Sequence, residues 1–200
     1  MFIELTDLLR CPAEHAESYL VLIPHVMEGR RVVRGTLGCP ACQAEYQITA
    51  GVALLGEPPA RLGEDGTGWS SAIEPDGVLA LLGLEGPGGF VALVGSAGRL
   101  GAELAELLPG VHWVAINPPA GLDPPANVSQ VRSARWPLKS RALRGVVIAG
   151  AAAGDPEWRD RAVRSVLPGL RAVGEGLPPA GDLLAAAGGW WVLRGAAASQ

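Results

Sequence analysis

Three cysteines and one histidine near the start of the chain have the spacing of a metal site. Cys39 and Cys42 form a Cys-x-x-Cys pair, and Cys11 lies upstream with His15 four residues after it. Two intervening residues let both thiolates of such a pair reach one tetrahedral ion at about 2.3 Å. We therefore predict a zinc ion bound by these four residues, with His25 as the reserve candidate for the fourth ligand.

The Cys-x-x-Cys pair has two other interpretations. A redox pair is less favoured, because this pair follows Gly38 and precedes polar Gln43 instead of following a buried strand at a helix start. A small domain that keeps its fold without metal also stays open. All three cysteines lie within the first 42 residues. An odd number clustered in this way favours metal binding over disulfides in a cytosolic chain.

The elements around these ligands predict a small β-rich zinc ribbon over residues 1–55. Residues 2–10 are typical of a short amphipathic helix that leads to Cys11, and residues 19–24 and 31–37 are typical of strands. A domain of this size has little core, so metal would contribute much of its folding free energy.

Residues 8–12 (Leu-Leu-Arg-Cys-Pro), 37–42 (Leu-Gly-Cys-Pro-Ala-Cys) and 46–55 (Tyr-Gln-Ile-Thr-Ala-Gly-Val-Ala-Leu-Leu) carry a resemblance. They resemble the small zinc-ribbon family whose eukaryotic and archaeal members activate tRNA, ribosomal RNA and release-factor methyltransferases. The resemblance implies zinc and, as partner, a methyltransferase or translation-related protein. The family's first pair usually has a second cysteine where this chain has His15.

A second stretch suited to ligand binding begins at residue 90. The apolar run 90–94 is followed by Gly95, Gly98 and Gly101 and then by a leucine-striped helix. A glycine turn of this kind lets the backbone approach a ligand closely. The acid that usually binds a ribose at the end of the second strand is replaced by Asn117, whose amide oxygen can accept a hydrogen bond without charge.

These elements predict a doubly wound, Rossmann-like α/β domain over residues 73–200, joined to the ribbon by a linker at 56–72. The predicted helices lie at 73–84, 100–108 and 157–167, and the predicted strands at 90–94, 111–116, 145–149 and 189–194. The linker is rich in proline, glycine and acidic residues.

Four segments in this order resemble class I S-adenosylmethionine-dependent methyltransferases: 91–98, residue 117, 136–148 and 163–171. The resemblance implies that Gly95, Ser96, Gly98 and Asn117 bind S-adenosylmethionine. The chain departs from the family pattern in side-chain character at four positions, which are Leu93, Arg99, Asn117 and Arg144. The departures favour a degenerate, non-catalytic binding or regulatory module. An active methyltransferase with an atypical pocket is the alternative.

A nicotinamide-dependent reductase is disfavoured. The Gly-x-x-Gly-x-x-Gly turn is compatible with one, yet no Tyr-x-x-x-Lys pair follows it. The only tyrosines, Tyr19 and Tyr46, belong to the ribbon.

Charge and hydropathy limit which partners and which cellular location are expected for the protein. The net charge is −4, but residues 128–144 carry five cations and no acid. One interpretation of residues 132–144 is an RNA-binding surface on which Trp136 stacks against a base. The favoured interpretation is that the cations lie at exposed ends of a strand and a loop and that Trp136 packs in the core. No apolar run approaches the roughly 20 residues of a membrane span. The start lacks a signal-peptide pattern, so a cytoplasmic protein without membrane contact is expected.

Overall fold

The computed structural model describes residues 1–62, 73–122 and 127–196, and the strands within them form one hydrogen-bonded sheet. The first strands are β1 (Val21–Glu28), β2 (Arg31–Gly38), β3 (Glu45–Thr49) and β4 (Val52–Leu55). The later strands are β5 (Phe90–Gly95), β6 (His112–Ile116), β7 (Val128–Ser133), β8 (Leu143–Ala149), β9 (Val166–Glu175), β10 (Asp182–Ala187) and β11 (Trp190–Arg194). Their order across the sheet is β1-β2-β3-β4-β7-β6-β5-β8-β9-β11-β10.

The sheet has a parallel centre and antiparallel ends. From β4 through β7, β6, β5 and β8 to β9, every neighbouring pair is parallel. Strands β1 to β4 form an antiparallel meander, and β11 and β10 close the other end in antiparallel pairing. Parallel strands need cover on both faces because both of their faces are apolar.

Helices supply that cover. They are α1 (Pro75–Leu82), α2 (Gly101–Leu107), α3 (Ala151–Gly154) and α4 (Pro156–Ser165). Val78 of α1 and Leu104 of α2 belong to the buried cluster on one face, whereas Ala152 of α3 and Trp158 of α4 belong to the cluster on the other. The predicted α/β class is thereby confirmed. No helix in the described segments is long and apolar enough to cross a membrane.

Strand β4 joins the N-terminal segment to the rest of the sheet. Val52 pairs with Gln130 of β7 and Leu55 with Ser133. Side chains of both segments also contribute to one buried cluster. The division into 1–55 and 73–200 stays a prediction, and residues 63–72 of the predicted linker lie outside the described residues.

The predicted helix at residues 2–10 is wrong. Ile3–Asp7 forms a short 3-10 helix. The chain is held by isolated β-bridges on both sides of this turn, through Phe2 and through Leu9. Because Phe2 and Leu9 are paired in β-bridges, a regular α-helix cannot extend over residues 2–10.

The other predicted elements are confirmed to within a few residues, but β3, β4, β7, β9 and β10 have no predicted counterpart. In β7, Ser129, Gln130 and Ser133 are buried although they are polar. Polar residues inside a sheet hide the apolar pattern by which strands are recognised. All of β10 is exposed, so no buried face marks its sequence.

Candidate functional site

Two tight turns position the predicted metal ligands. The Cys11 N–H donates a hydrogen bond of 2.9 Å to the carbonyl of Ser18, which closes the first loop. Cys39 lies directly after β2, and the N–H of Gln43 donates to the Cys39 carbonyl at 2.9 Å. Gln43 takes a left-handed φ of 61°. This turn folds Cys42 back beside Cys39.

All four predicted ligands meet at one point. The ligand atoms of Cys11, His15, Cys39 and Cys42 lie within 4.8 Å of one another. Sγ of Cys11 is 3.7 Å from Sγ of Cys42, and Sγ of Cys39 is 3.5 Å from Nε2 of His15. The reserve candidate His25 lies on β1, outside this cluster. The arrangement could hold a metal ion through three sulfurs and one nitrogen.

Backbone amides stabilise the thiolate form of one cysteine in the cluster. Burial tends to raise the pKa of Cys39, but hydrogen bonds from the amides of Cys42 and Ala41 outweigh it and lower the pKa to about 6. Burial raises the pKa of Cys11 above its ordinary value. Because thiolates are the metal-binding form, Cys39 is ready to bind at neutral pH, whereas Cys11 must first lose its proton.

Two further contacts orient the ligands. Nδ1 of His15 lies 2.5 Å from the carbonyl of Ala16. If Nδ1 carries the proton, it donates to this carbonyl and leaves the Nε2 lone pair for a metal. The Tyr46 hydroxyl lies 3.4 Å from Sγ of Cys11, and burial raises the pKa of that phenol. Sequence reasoning missed this role of Tyr46, although a tyrosine four residues after Cys42 on a strand was a usable signal.

A cavity of about 700 Å³ opens at the carboxyl ends of the central strands. Gly95 ends β5, Asn117 follows β6 and Gly150 follows β8, and all three line the cavity. Residues 56–60, which leave β4, form another wall. Strand β5 lies between β6 on one side and β8 on the other, so the strand order changes direction at β5. Ligands commonly bind at the carboxyl ends of strands at such switch points in α/β sheets. The volume lies within the range of about 300–1,000 Å³ common for small-molecule sites.

Gly95 and Gly150 are required by close backbone packing around the cavity. Gly95 has a φ of 64°, and an added Cβ would lie 2.6 Å from the carbonyl oxygen of Ala149. Gly150 has a φ of 66°, and its Cβ would lie 2.7 Å from Oγ of Ser96. Ser96 lines the cavity, but its buried hydroxyl has no hydrogen-bond partner among the described residues. The turn therefore serves strand packing as well as any ligand.

Asn117 is engaged by the neighbouring strand. Its Nδ2 donates to the carbonyl of Ser133 at 2.9 Å, and its Oδ1 accepts from the Ser133 N–H at 2.8 Å. The side chain thus extends the β6–β7 pairing by one step beyond Ile116. Asn117 has a left-handed φ of 46°, which Asn tolerates better than most residues. A ribose at this point would meet an amide that already makes two hydrogen bonds.

The remaining predicted positions lie away from the cavity wall. Gly98 packs against Pro118, where an added Cβ would come within 2.6 Å of the proline ring, and it does not line the cavity. Leu93 is fully buried in the core. Arg144 donates hydrogen bonds of 2.8–2.9 Å to the carbonyls of Glu85, Gly86, Pro87 and Gly88, which precede β5. Of the four departures from the methyltransferase pattern, only Arg99 and Asn117 reach the cavity.

Charged side chains on the cavity wall are mainly cationic. Arg99 is exposed, and Arg132 of β7 is half-buried and donates to the carbonyl of Pro119 at 3.4 Å. Glu57 is the one acidic side chain among the described lining residues. Within the described part of the chain, neither arginine forms an ion pair. Among its described residues, the wall therefore carries an excess of positive charge.

The cations of residues 132–144 point to different places. Arg132 lines the cavity, and Arg144 donates hydrogen bonds to the loop before β5. Arg135 forms an ion pair with Glu14. Trp136 is partly buried and packs edge-to-face on Trp158, with ring centroids 5.8 Å apart. These three arginines therefore make different contacts in the structure.

No family model and no curated protein matches the sequence. Among solved structures, a protein from Anabaena variabilis assigned as a methyltransferase of an antibiotic biosynthesis pathway is 15% identical, with a TM-score of 0.39 over 58% of this chain and 47% of that one. A Bacillus halodurans protein assigned as a methyltransferase is 16% identical, with a TM-score of 0.37 over 54% and 53%.

The 16S rRNA N2 G1207 methyltransferase of T. thermophilus, solved with AdoMet and guanosine, is 16% identical, with a TM-score of 0.32 over 88% of this chain and 44% of that one. This chain spans about half the length of each of these proteins. Because the TM-scores of these three structures are 0.39 or lower, the function of the chain has to be argued from its own residues.

Proposed function

We propose that this chain is a zinc-binding protein whose methyltransferase-like sheet holds a small molecule and acts as a non-catalytic binding or regulatory module. The observation that carries the proposal is the cavity at the strand ends, in which the amide of Asn117 is bound to Ser133 where a ribose-binding acid would be expected. Room for a ligand is present, while the acid expected for S-adenosylmethionine is replaced.

The distances between ligand atoms support zinc. A tetrahedral ion with Zn–S of about 2.3 Å and Zn–N of about 2.0–2.1 Å requires S···S separations of about 3.8 Å and S···N separations of about 3.5 Å. The separations of 3.7 Å between Cys11 and Cys42, and of 3.5 Å between Cys39 and His15, agree with both values. Four protein ligands leave no open position, which is typical of a structural zinc site.

In this proposal the N-terminal segment is a zinc ribbon that resembles the methyltransferase-activator family. It supports the methyltransferase-like part of the same chain instead of a separate protein. Its strand β4 pairs with β7, and residues 56–60 build part of the cavity wall. Zinc would stabilise that wall through the fold of the segment. A separate methyltransferase or translation-related partner would have to use a surface other than the β4 edge. Free thiol ligands suit a reducing compartment such as the cytoplasm.

An active S-adenosylmethionine-dependent methyltransferase is the second candidate. Gly95 and Ser96 line the cavity as that function requires, and two of the four sequence departures, Leu93 and Arg144, lie outside the cavity wall. Methyl transfer can rest on alignment of the nucleophile with the methyl group and needs no dedicated charged residue.

Calorimetric titration of the zinc-loaded protein separates the two candidates. We expect S-adenosylmethionine and S-adenosylhomocysteine to bind weakly or not at all. Micromolar binding that is lost in Ala151→Trp, which fills the cavity from an exposed position on α3, would favour the methyltransferase. Metal analysis of protein purified without chelators tests the zinc site separately, and a protein devoid of zinc would refute that half of the proposal.

A further inference from the structure

We infer that the cavity at the strand ends binds a nucleoside phosphate, with Arg99 and Arg132 on the phosphate and the proline-lined wall against the base. This inference rests on the proposed function, because it requires the cavity to hold a small molecule. It adds the charge and the chemical class of that molecule.

The sign of the charge on the cavity wall indicates that the ligand is an anion. Among the described lining residues, Arg99 and Arg132 are the cations and Glu57 is the one carboxylate. Guanidinium groups bind phosphate oxygens with paired N–H donors, and these charge-assisted hydrogen bonds are stronger than neutral ones. Arg132 is half-buried and partly oriented by the carbonyl of Pro119 at 3.4 Å, so less side-chain freedom is lost when it binds.

The same charges disfavour S-adenosylmethionine. Its sulfonium and ammonium groups outnumber its carboxylate, so the molecule is a net cation at neutral pH. Like charges repel, and the repulsion grows where water is partly excluded. A cavity that has Arg99 on its wall and an uncharged Asn117 in place of an acid is therefore better suited to an anion.

The uncharged part of the wall indicates what the anion is attached to. Pro58, Pro59, Pro118 and Pro119 line the cavity together with Leu54. Proline rings offer apolar surface against which a planar base can pack. Inorganic phosphate would leave most of the volume of about 700 Å³ empty, whereas a nucleotide is of suitable size.

The test compares three probes on the full-length, zinc-loaded protein by calorimetry: AMP, adenosine and S-adenosylmethionine. We expect AMP to bind at least about tenfold more tightly than adenosine, because a hydrogen bond to a charged group is worth about 1.5–3 kcal/mol. S-adenosylmethionine should bind more weakly than either. Added salt should weaken AMP binding and leave adenosine binding unchanged.

Matched variants locate the effect. Arg99→Gln and Arg132→Gln should each weaken AMP binding by about tenfold without changing adenosine binding. Arg34→Gln removes an exposed arginine of β2 that does not line the cavity, so it should change neither. Circular dichroism and zinc content confirm that each variant is folded.

The outcomes separate this inference from the proposed function. Equal affinities for AMP and adenosine, both abolished by Ala151→Trp, would overturn the anion inference and leave a ligand-binding module. Tightest binding of S-adenosylmethionine would overturn the inference and favour the methyltransferase. Failure of all three probes to bind would count against both the inference and the proposed function.

Discussion

Replacing Asn117 by Asp tests whether this residue is a strand-pairing group or a weakened ribose ligand. The substitution introduces the acid expected at this position in the family that the chain resembles. In the present structure Nδ2 donates to the Ser133 carbonyl at 2.9 Å and Oδ1 accepts from the Ser133 N–H at 2.8 Å. A carboxylate keeps the acceptor but loses the donor, so one of its oxygens would face the Ser133 carbonyl oxygen.

The cost follows from burial. Asn117 is 8% exposed and Ser133 is fully buried, so the Ser133 carbonyl has little access to water that could replace the lost donor. A lost hydrogen bond costs about 1 kcal/mol, and a buried group left without a partner costs about 1–3 kcal/mol more. We expect the free energy of unfolding at neutral pH to fall by about 2–4 kcal/mol. At about 2–4 °C per kcal/mol for a chain of this size, Tm should fall by about 4–16 °C.

The loss should depend on pH in a defined direction. Burial beside a carbonyl disfavours the charged carboxylate, so the pKa of the introduced carboxyl should be higher in the folded state than in the unfolded state. The folded state then binds the proton more tightly, and the deficit shrinks as pH falls through the folded-state pKa. The protonated carboxyl can again donate to the Ser133 carbonyl.

Thermal and urea unfolding of Asn117→Asp across pH provide the assay, with Asn127→Asp as control. Asn127 is exposed, so the same chemical change there should alter Tm very little. An unchanged Tm for Asn117→Asp together with newly acquired S-adenosylmethionine binding would refute the reasoning. It would mean that the side chain is free to serve a ligand.

Three further predictions concern the metal ligands and the glycine turn. His15→Ala should lower zinc retention during dialysis against a chelator while His25→Ala should not, and equal zinc contents would contradict the ligand assignment. Apparent zinc affinity, measured by competition with a chromogenic chelator, should rise between about pH 6 and about pH 8, because Cys11 with its raised pKa must release a proton; a pH-independent affinity would argue against Cys11 as a ligand. Gly95→Ala should destabilise the protein more than Gly188→Ala in urea unfolding. Both positions have a positive φ, 64° at Gly95 and 59° at Gly188, which is unfavourable for Ala. At Gly95 ψ is −132°, outside the left-handed helical region, and an added Cβ would lie 2.6 Å from a carbonyl oxygen, whereas at Gly188 it would meet no atom within 4 Å. Equal losses would show that the chain relaxes around Ala149 at no cost.

The sequence located groups of residues correctly where their geometry is set locally. The Cys-x-x-Cys turn and His15 were found from spacing, and the structure places their ligand atoms together. The strand and helix at the glycine turn were likewise found from apolar periodicity. Predictions failed where distant parts of the chain decide the outcome: β-bridges at Phe2 and Leu9 turn the first segment into a 3-10 helix.

The interpretation of the four positions that depart from the methyltransferase pattern changed for the same reason. Sequence alone weighs Leu93, Arg99, Asn117 and Arg144 equally. In the structure, Leu93 is core and Arg144 holds the loop before β5. The charge on the cavity wall depends on Arg99 and on Arg132, and the latter appeared in the sequence only as one member of a basic stretch.

The sequence by itself indicated the Cys/His cluster that could hold a metal ion, the glycine turn and the α/β class. Covalent geometry limits what two or three intervening residues can do, and side-chain periodicity records which faces are buried. Only the tertiary structure decided that β4 pairs with β7, that Asn117 is bound to Ser133 and that two arginines share a cavity. These contacts join residues far apart in the chain, so they depend on how strands are ordered in the sheet, and spacing along the sequence does not encode that order.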